Sequence, residues 1–344
     1  MVESLLFTFC ALFALTLSKY RNLFWIPALI AFFLLLAAGL RSGVGTDTQR
    51  YLEIYNSLEI LKLNTELSLF YIFFYYLRPY FESPYTITLF TAFFQIIIIT
   101  IIGRDSRYTV FLVIYISFFL ITYSFNQIRQ GLADLVAVLT LYIPFLVNNN
   151  IISSIFVASI HPISGCIRMV IGYLNKIKSL KNTLLLLLFL SIIFLIIIIF
   201  YFDSNIIIRR YFDYLIDNPE GLQGFNFYPY FYIKTLILII IISYGYTGKY
   251  LEIKFLYFYL FLILLVSIMP ILNRAVDSIT IYLLAVLATN RMLSKNIPRF
   301  LVIIAVIIGI AGTLKFMWVN YEQDAGCAKW LPYETLYNSI DCQM

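Results

Sequence analysis

The side chains best suited to chemistry in this chain are few and far apart: one histidine, His161, six arginines that stand out by position (Arg41, Arg129, Arg168, Arg209, Arg210 and Arg274), and Asp47. A guanidinium presents a rigid fork of donors that matches carboxylate or phosphate, and it stays charged even in a partly dry site. Arg129, Arg168 and Arg274 adjoin or enter apolar stretches. An arginine there costs about 2.5–3.5 kcal/mol on insertion scales and tends to line a functional cavity. Arg50 near Glu53 and Arg78 near Glu82 have a simpler reading as local helix-surface pairs. His161 precedes Pro162 within an apolar segment, so it is either a satisfied polar group in a packed kink or a proton acceptor facing a polar cavity.

The stretch RSGVGTDTQRYLEIY, residues 41–55, also divides two ways. Thr46 and Gln49 fit a capping box, and Tyr51, Ile54, Tyr55 and Leu58 share one face of the helix that follows, as an interfacial helix requires. Asp47 is then either a first-turn acid favoured by the helix dipole or a general base beside a glycine-lined cleft. Four cysteines and one histidine show no metal-ligand spacing, so neither a metal nor a cofactor is expected. Cys10 and Cys166 lie in apolar surroundings and read as small buried hydrophobes, whereas Cys327 and Cys342 share a polar tail. In an oxidising compartment those two could close a disulfide worth about 3 kcal/mol.

What must position these groups is a membrane bundle. Of 344 residues 62% are hydrophobic and only 12% charged, about half the charged share of a soluble domain. The apolar runs are continuous and do not alternate, which excludes a barrel and implies an all-α, polytopic integral membrane helical bundle of about 11–13 helices, some short or re-entrant. Spans are expected near residues 23–40, 84–102, 108–124, 131–147, 184–202, 231–247, 255–272, 276–293 and 300–319, with weaker ones at 4–18 and 151–174. The segment 4–18 lacks a basic start and reads as a membrane helix, not a cleaved signal peptide. Residues 151–174 are expected as two half-length helices meeting at His161, and the aromatic stretch 67–80 as a re-entrant or interfacial helix. No linker separates a soluble domain, so residues 1–344 form one integral unit. The net charge of +6 is spread over short loops without a basic run, which removes nucleic-acid binding as a leading reading.

Basic loops at 18–22, 103–107, 175–182, 248–254 and 291–299 read as cytoplasmic. The other face then holds 41–83, 123–130, the His161 kink, the loop 203–229, the Asn273-Arg274 turn and the tail 320–344. Seven of the 11 lysines fall in the cytoplasmic loops but only five of the 13 arginines do. An arginine cluster near the outer surface suggests an anionic ligand. The aromatic loop 203–229 is either a platform on which sugar rings could pack or an interfacial aromatic belt.

These residues occur in a recognisable order. RSGVGTDTQRY, then SFNQIRQGLADLVAVLTLY at 124–142, ASIHPISG at 158–165 and NRAVDSITIYLL at 273–284 together resemble the EpsG-like branch of the Wzy O-antigen polymerases, over about residues 37–290. The resemblance implies a glycosyltransferase of the bacterial inner membrane with its active site facing the periplasm. Its substrates would be oligosaccharide repeat units on undecaprenyl pyrophosphate, and its partners membrane lipids and a chain-length regulator protein. A growing glycan would pass to the non-reducing end of a new lipid-linked unit. Arg129 and Arg274, with Arg209, Arg210 or Arg41, would hold the pyrophosphate, and His161 or Asp47 would take the proton of the attacking hydroxyl. A flippase or other transporter of the same lipid-linked oligosaccharide and an O-antigen ligase are the alternatives.

Overall fold

A computed structural model describes residues 25–40, 48–58, 69–125, 127–176, 229–245, 259, 263 and 273–322. Every regular element among them is helical, as apolar segments that must satisfy their own backbone in lipid require. In chain order these are α1 (Ile26–Gly39), α2 (Thr48–Ser57), α3 (Leu69–Leu77), α4 (Thr86–Gly103), α5 (Thr109–Phe125), α6 (Ile128–Leu139), α7 (Pro144–Asn148), α8 (Asn150–Ala158), α9 (Pro162–Lys176), α10 (Pro229–Gly245), α11 (Asn273–Thr289), α12 (Met292–Asn296) and α13 (Arg299–Glu322). The expected spans at 4–18, 184–202 and 255–272 lie outside the described residues, apart from Tyr259 and Ile263.

α5 is the axis of the bundle. Its residues Phe111–Ile121 are all buried, and Phe111, Tyr115, Phe119 and Tyr123 form an i,i+4 stripe with successive ring centroids 5.9, 6.1 and 6.0 Å apart. The middle of the helix, Ile116–Leu120, is wound as a π-helix. Such a turn leaves carbonyls off the regular ladder, and Thr313 of α13 donates to the Ser117 carbonyl at 3.2 Å. α4 and the segment Ser106–Ser124 are long and apolar enough to cross a membrane, and Ile26–Gly39, Phe231–Gly245 and Arg299–Thr313 are shorter apolar helices.

α2 buries Tyr55 and Leu58, with Tyr51 and Ile54 partly buried on the same side, as the spacing predicts. The Tyr55 hydroxyl donates to the Phe81 carbonyl at 2.5 Å, tying α2 to the end of the α3 segment. α3, nine residues long, is about 13 Å from end to end and cannot span a bilayer. That fits the re-entrant or interfacial reading of residues 67–80.

One expected span is broken in two. Residues 131–147 do not form one helix: α6 ends at Leu139, and α7 begins at Pro144. Proline has no N–H to return to the carbonyl four residues earlier, and Thr140 donates its hydroxyl to the Ala137 carbonyl at 2.6 Å, closing the end of α6. The short α7 and α8 then carry the chain back to His161. There α8 and α9 meet as two half-length helices on either side of Ser159–His161.

The α8–α9 hairpin closes on Gly165. A Cβ added there would lie 2.3 Å from the Ala158 Cβ and 2.4 and 2.5 Å from its Cα and N. Gly165→Ala is therefore expected to destabilise the protein by about 1–3 kcal/mol. Because the clash is with backbone, the added change Ala158→Gly should not restore the thermal midpoint in detergent; full recovery in the double variant would show that the helices can move apart freely.

The two ends of the bundle differ. At one, Asp105 accepts from the Arg107 backbone N–H and pairs with its guanidinium at 2.5 Å, a contact that holds the Asp105 carboxyl below its usual range. Arg107 also donates to the Thr289 carbonyl at 3.2 Å, and the Tyr108 hydroxyl meets that of Thr289 at 2.6 Å. Asn296 donates to the Gly245 carbonyl at 3.1 Å. Thus the basic turns at 103–107 and 291–299 share one end. α11, 17 residues long, carries Arg274 about 20 Å away at the other.

Candidate functional site

At that other end three helix N-termini converge: those of α6, α9 and α11. A helix N-terminus carries unsatisfied N–H groups and about half a unit of positive charge, a setting that favours anions. Arg129 and Arg274 occupy the first turns of α6 and α11. A cation in a first turn opposes the dipole, so helix stability does not account for either. The Arg129 guanidinium lies over the Tyr71 ring, 5.1 Å from its centroid, and both arginines are half-buried.

Side chains one turn further in knit the three helices together. The Gln130 amide nitrogen is within hydrogen-bond distance of the Arg274 carbonyl at 2.8 Å, the Ser278 hydroxyl at 3.0 Å and the Tyr123 hydroxyl at 3.2 Å. Ser278 donates to the Asp134 carboxylate at 2.9 Å. The Ser164 hydroxyl lies 3.5 Å from that of Ser278 and 3.2 Å from His161 Nδ1. His161 is 6% exposed, and the charges of Arg129 and Arg274 both act on its ring. α6 can approach α5 this closely because residue 131 is glycine: a Cβ there would stand 2.7 Å from that of Tyr123.

Beside this seam Lys234 of α10 and Asp277 of α11, both buried, pair at 2.7 Å, with the ammonium 4.7 Å from the centroid of the Phe119 ring. Removing one member of a buried pair strands the other and costs about 3–5 kcal/mol, whereas replacing both by apolar groups is often neutral. Lys234→Met should therefore lower the thermal midpoint sharply, and Lys234→Met with Asp277→Leu should recover most of the loss. Equal melting of the single and double variants would contradict this.

Of the residues singled out in the sequence, the structure brings together His161, Arg129 and Arg274. Arg168 is elsewhere: buried, it donates to Thr140 at 3.3 Å and Asn150 at 3.1 Å and lies over Tyr282 at 5.0 Å, locking α9 to the α6–α8 turn. Cys166 corrects an expectation. It is exposed on the outer side of α9 with Met169 and Tyr173, because the buried side of that helix is taken by Ser164, Ile167, Arg168 and Ile171. Arg41, Asp47, Arg209, Arg210, Cys327 and Cys342 lie outside the described residues, as do the loop 203–228 and the tail from 323.

Gln130, Asp134, Ser164, Ser278, Lys234 and Asp277 were not singled out from the sequence. A signal for four of them was present in spacing: Ser164 is three residues from His161, Ser278 four from Arg274, and Gln130 and Asp134 are four apart. Those intervals place polar groups on one helical face. No curated protein and no solved structure gives a match to the chain. The sequence pattern that describes the EpsG family matches residues 24–335. That match spans Arg129, His161 and Arg274, and the chain belongs to the EpsG family, a helical membrane protein of the glycan-polymerase kind.

Proposed function

We propose that this protein extends a polysaccharide by moving a growing glycan from undecaprenyl pyrophosphate onto the non-reducing end of a newly presented lipid-linked repeat unit. The observation that carries this reading is the convergence of three helix N-termini, two bearing Arg129 and Arg274 and the third preceded by His161, joined through Gln130, Ser278 and Ser164. The bond that breaks joins the sugar anomeric carbon to the pyrophosphate oxygen, and charge develops on that oxygen as it leaves. Two guanidiniums and oriented N–H groups stabilise such charge most where water is scarce. The bond that forms joins the same carbon to a sugar hydroxyl, whose proton passes to His161. The basic turns at the opposite end of the bundle support a cytoplasmic side there by the positive-inside bias, and with it a reading in which the reacting end faces the periplasm of a bacterial inner membrane.

In a host that makes an O-antigen with this protein, deletion of the gene should leave lipopolysaccharide capped with a single repeat unit and no ladder on a gel. Long polymer remaining on the carrier lipid would instead indicate a ligase. Repeat units accumulating on the cytoplasmic face would indicate a flippase, and either outcome overturns the reading.

A further inference from the structure

The buried carboxylate of Asp134 has no part in the chemistry so far, yet it ends the string that starts at His161. Asp134 is 2% exposed in the middle of α6, and ionisable groups at such depth tend to belong to proton relays or substrate paths. The string can be read by counting protons. An ionised carboxylate only accepts, and each serine hydroxyl has one proton to give. Ser278 gives its proton to Asp134 at 2.9 Å, and its oxygen faces the Gln130 amide at 3.0 Å and Ser164 at 3.5 Å. Ser164 must then give its own proton towards Ser278. The Ser164 oxygen is thereby left as an acceptor for His161 Nδ1, 3.2 Å away. If Asp134 were protonated, the whole string could reverse and the ring would carry its proton on Nε2.

We propose that Asp134, acting through Ser278 and Ser164, holds the His161 proton on Nδ1 and leaves Nε2 as the acceptor. Asp134, Ser164 and Ser278 are thus positioning residues for the histidine. Taken with the polymerase reading, on which this last step rests, the string also gives the proton a destination. Arg129 and Arg274 already bring positive charge to the helix ends beside the ring, and an imidazolium there would add a third like charge in a dry setting. As Nε2 takes the proton of the attacking hydroxyl, Nδ1 gives its proton to Ser164, Ser164 gives one to Ser278, and Ser278 gives one to Asp134. The ring ends neutral and the carboxylate ends as an acid, with one proton moved in all.

The chain has a single histidine, so full-length protein labelled with 15N-histidine in lipid vesicles gives one imidazole spectrum with no other ring to confuse it. In the wild type the nitrogen bonded to hydrogen should be Nδ1. Ser278→Ala, which cuts the string, should move the proton to Nε2 or to a mixture, and Ser278→Thr, which keeps a hydroxyl, should restore Nδ1. A wild-type ring protonated on Nε2 overturns the proposal without any variant, and so does a spectrum that Ser278→Ala leaves unchanged. The spectrum does not depend on what reaction the protein performs. A loss of the polymerase reading with the proton still on Nδ1 would therefore overturn the proton's proposed destination and leave the tautomer assignment standing. In a chain-extension assay with a lipid-linked repeat unit, Ser278→Ala should lower kcat and leave KM in place; a change confined to KM would contradict the relay.

Discussion

Alanine at Arg129 or at Arg274 is expected to slow chain extension by about 10²–10³-fold, the usual consequence of deleting one preorganised donor from a charge-stabilising site. The effect should be this large because helix stability accounts for the place of neither arginine. Each sits in the first turn of a helix, where the dipole opposes it, and each acts on His161 from a different helix. An anion between them would convert both disadvantages into attraction. Lysine should restore only part of the rate, since a point charge cannot reproduce the two-pronged contact of guanidinium with phosphate. The comparison is made in a chain-extension assay, with the amount of folded protein in the membrane measured alongside. A complete ladder from both alanine variants at normal protein level would remove the pyrophosphate role. Arg168→Ala offers a contrast: its guanidinium is spent on Thr140, Asn150 and Tyr282, so its loss should show first as lowered thermal stability.

His161→Gln should cost about 10²–10⁴-fold in rate, the range that a positioned general base contributes. Glutamine preserves a polar side chain next to Ser164, so the kink between α8 and α9 is expected to survive. The loss should appear in kcat, because in the proposed reaction the ring meets the attacking hydroxyl and not the carrier lipid, whereas the arginine variants should raise KM as well. A His161→Gln protein that still builds long polymer would assign the proton to another group. Asp47, in the segment before α2, is the other acceptor that the sequence offers.

Much of this was open to a reader of the sequence. The His161-Pro162 pair predicts a break because proline cannot complete a helix, and α8 and α9 do meet there. Tyr51, Ile54, Tyr55 and Leu58 predict one buried face of α2, and those residues turn inward. Where the reading failed, a local device outweighed a general pattern. The run 131–147 is apolar enough for one span, but the Thr140 hydroxyl and Pro144 end α6 early. Cys166 was placed by the apolar character of its neighbours, and character says nothing about which side of a helix faces the bundle.

Composition and spacing alone determined that the chain is a helical membrane bundle, that it breaks at His161-Pro162, and which cations are costly enough to need a reason. The positive-inside bias already puts Arg129, His161 and Arg274 on one face, but tertiary structure alone drew the helix ends beside them together. It alone joined Gln130 and Asp134 to Ser278, 148 and 144 residues further along the chain, and Lys234 to Asp277. The physical reason is that helical periodicity relates residues within one helix to each other, and it carries no information about the rotation of a second helix around its own axis. That rotation is set by close packing, as where Gly131 meets Tyr123 and Gly165 meets Ala158. Polar groups in apolar helices become a site only after such contacts have turned their faces together.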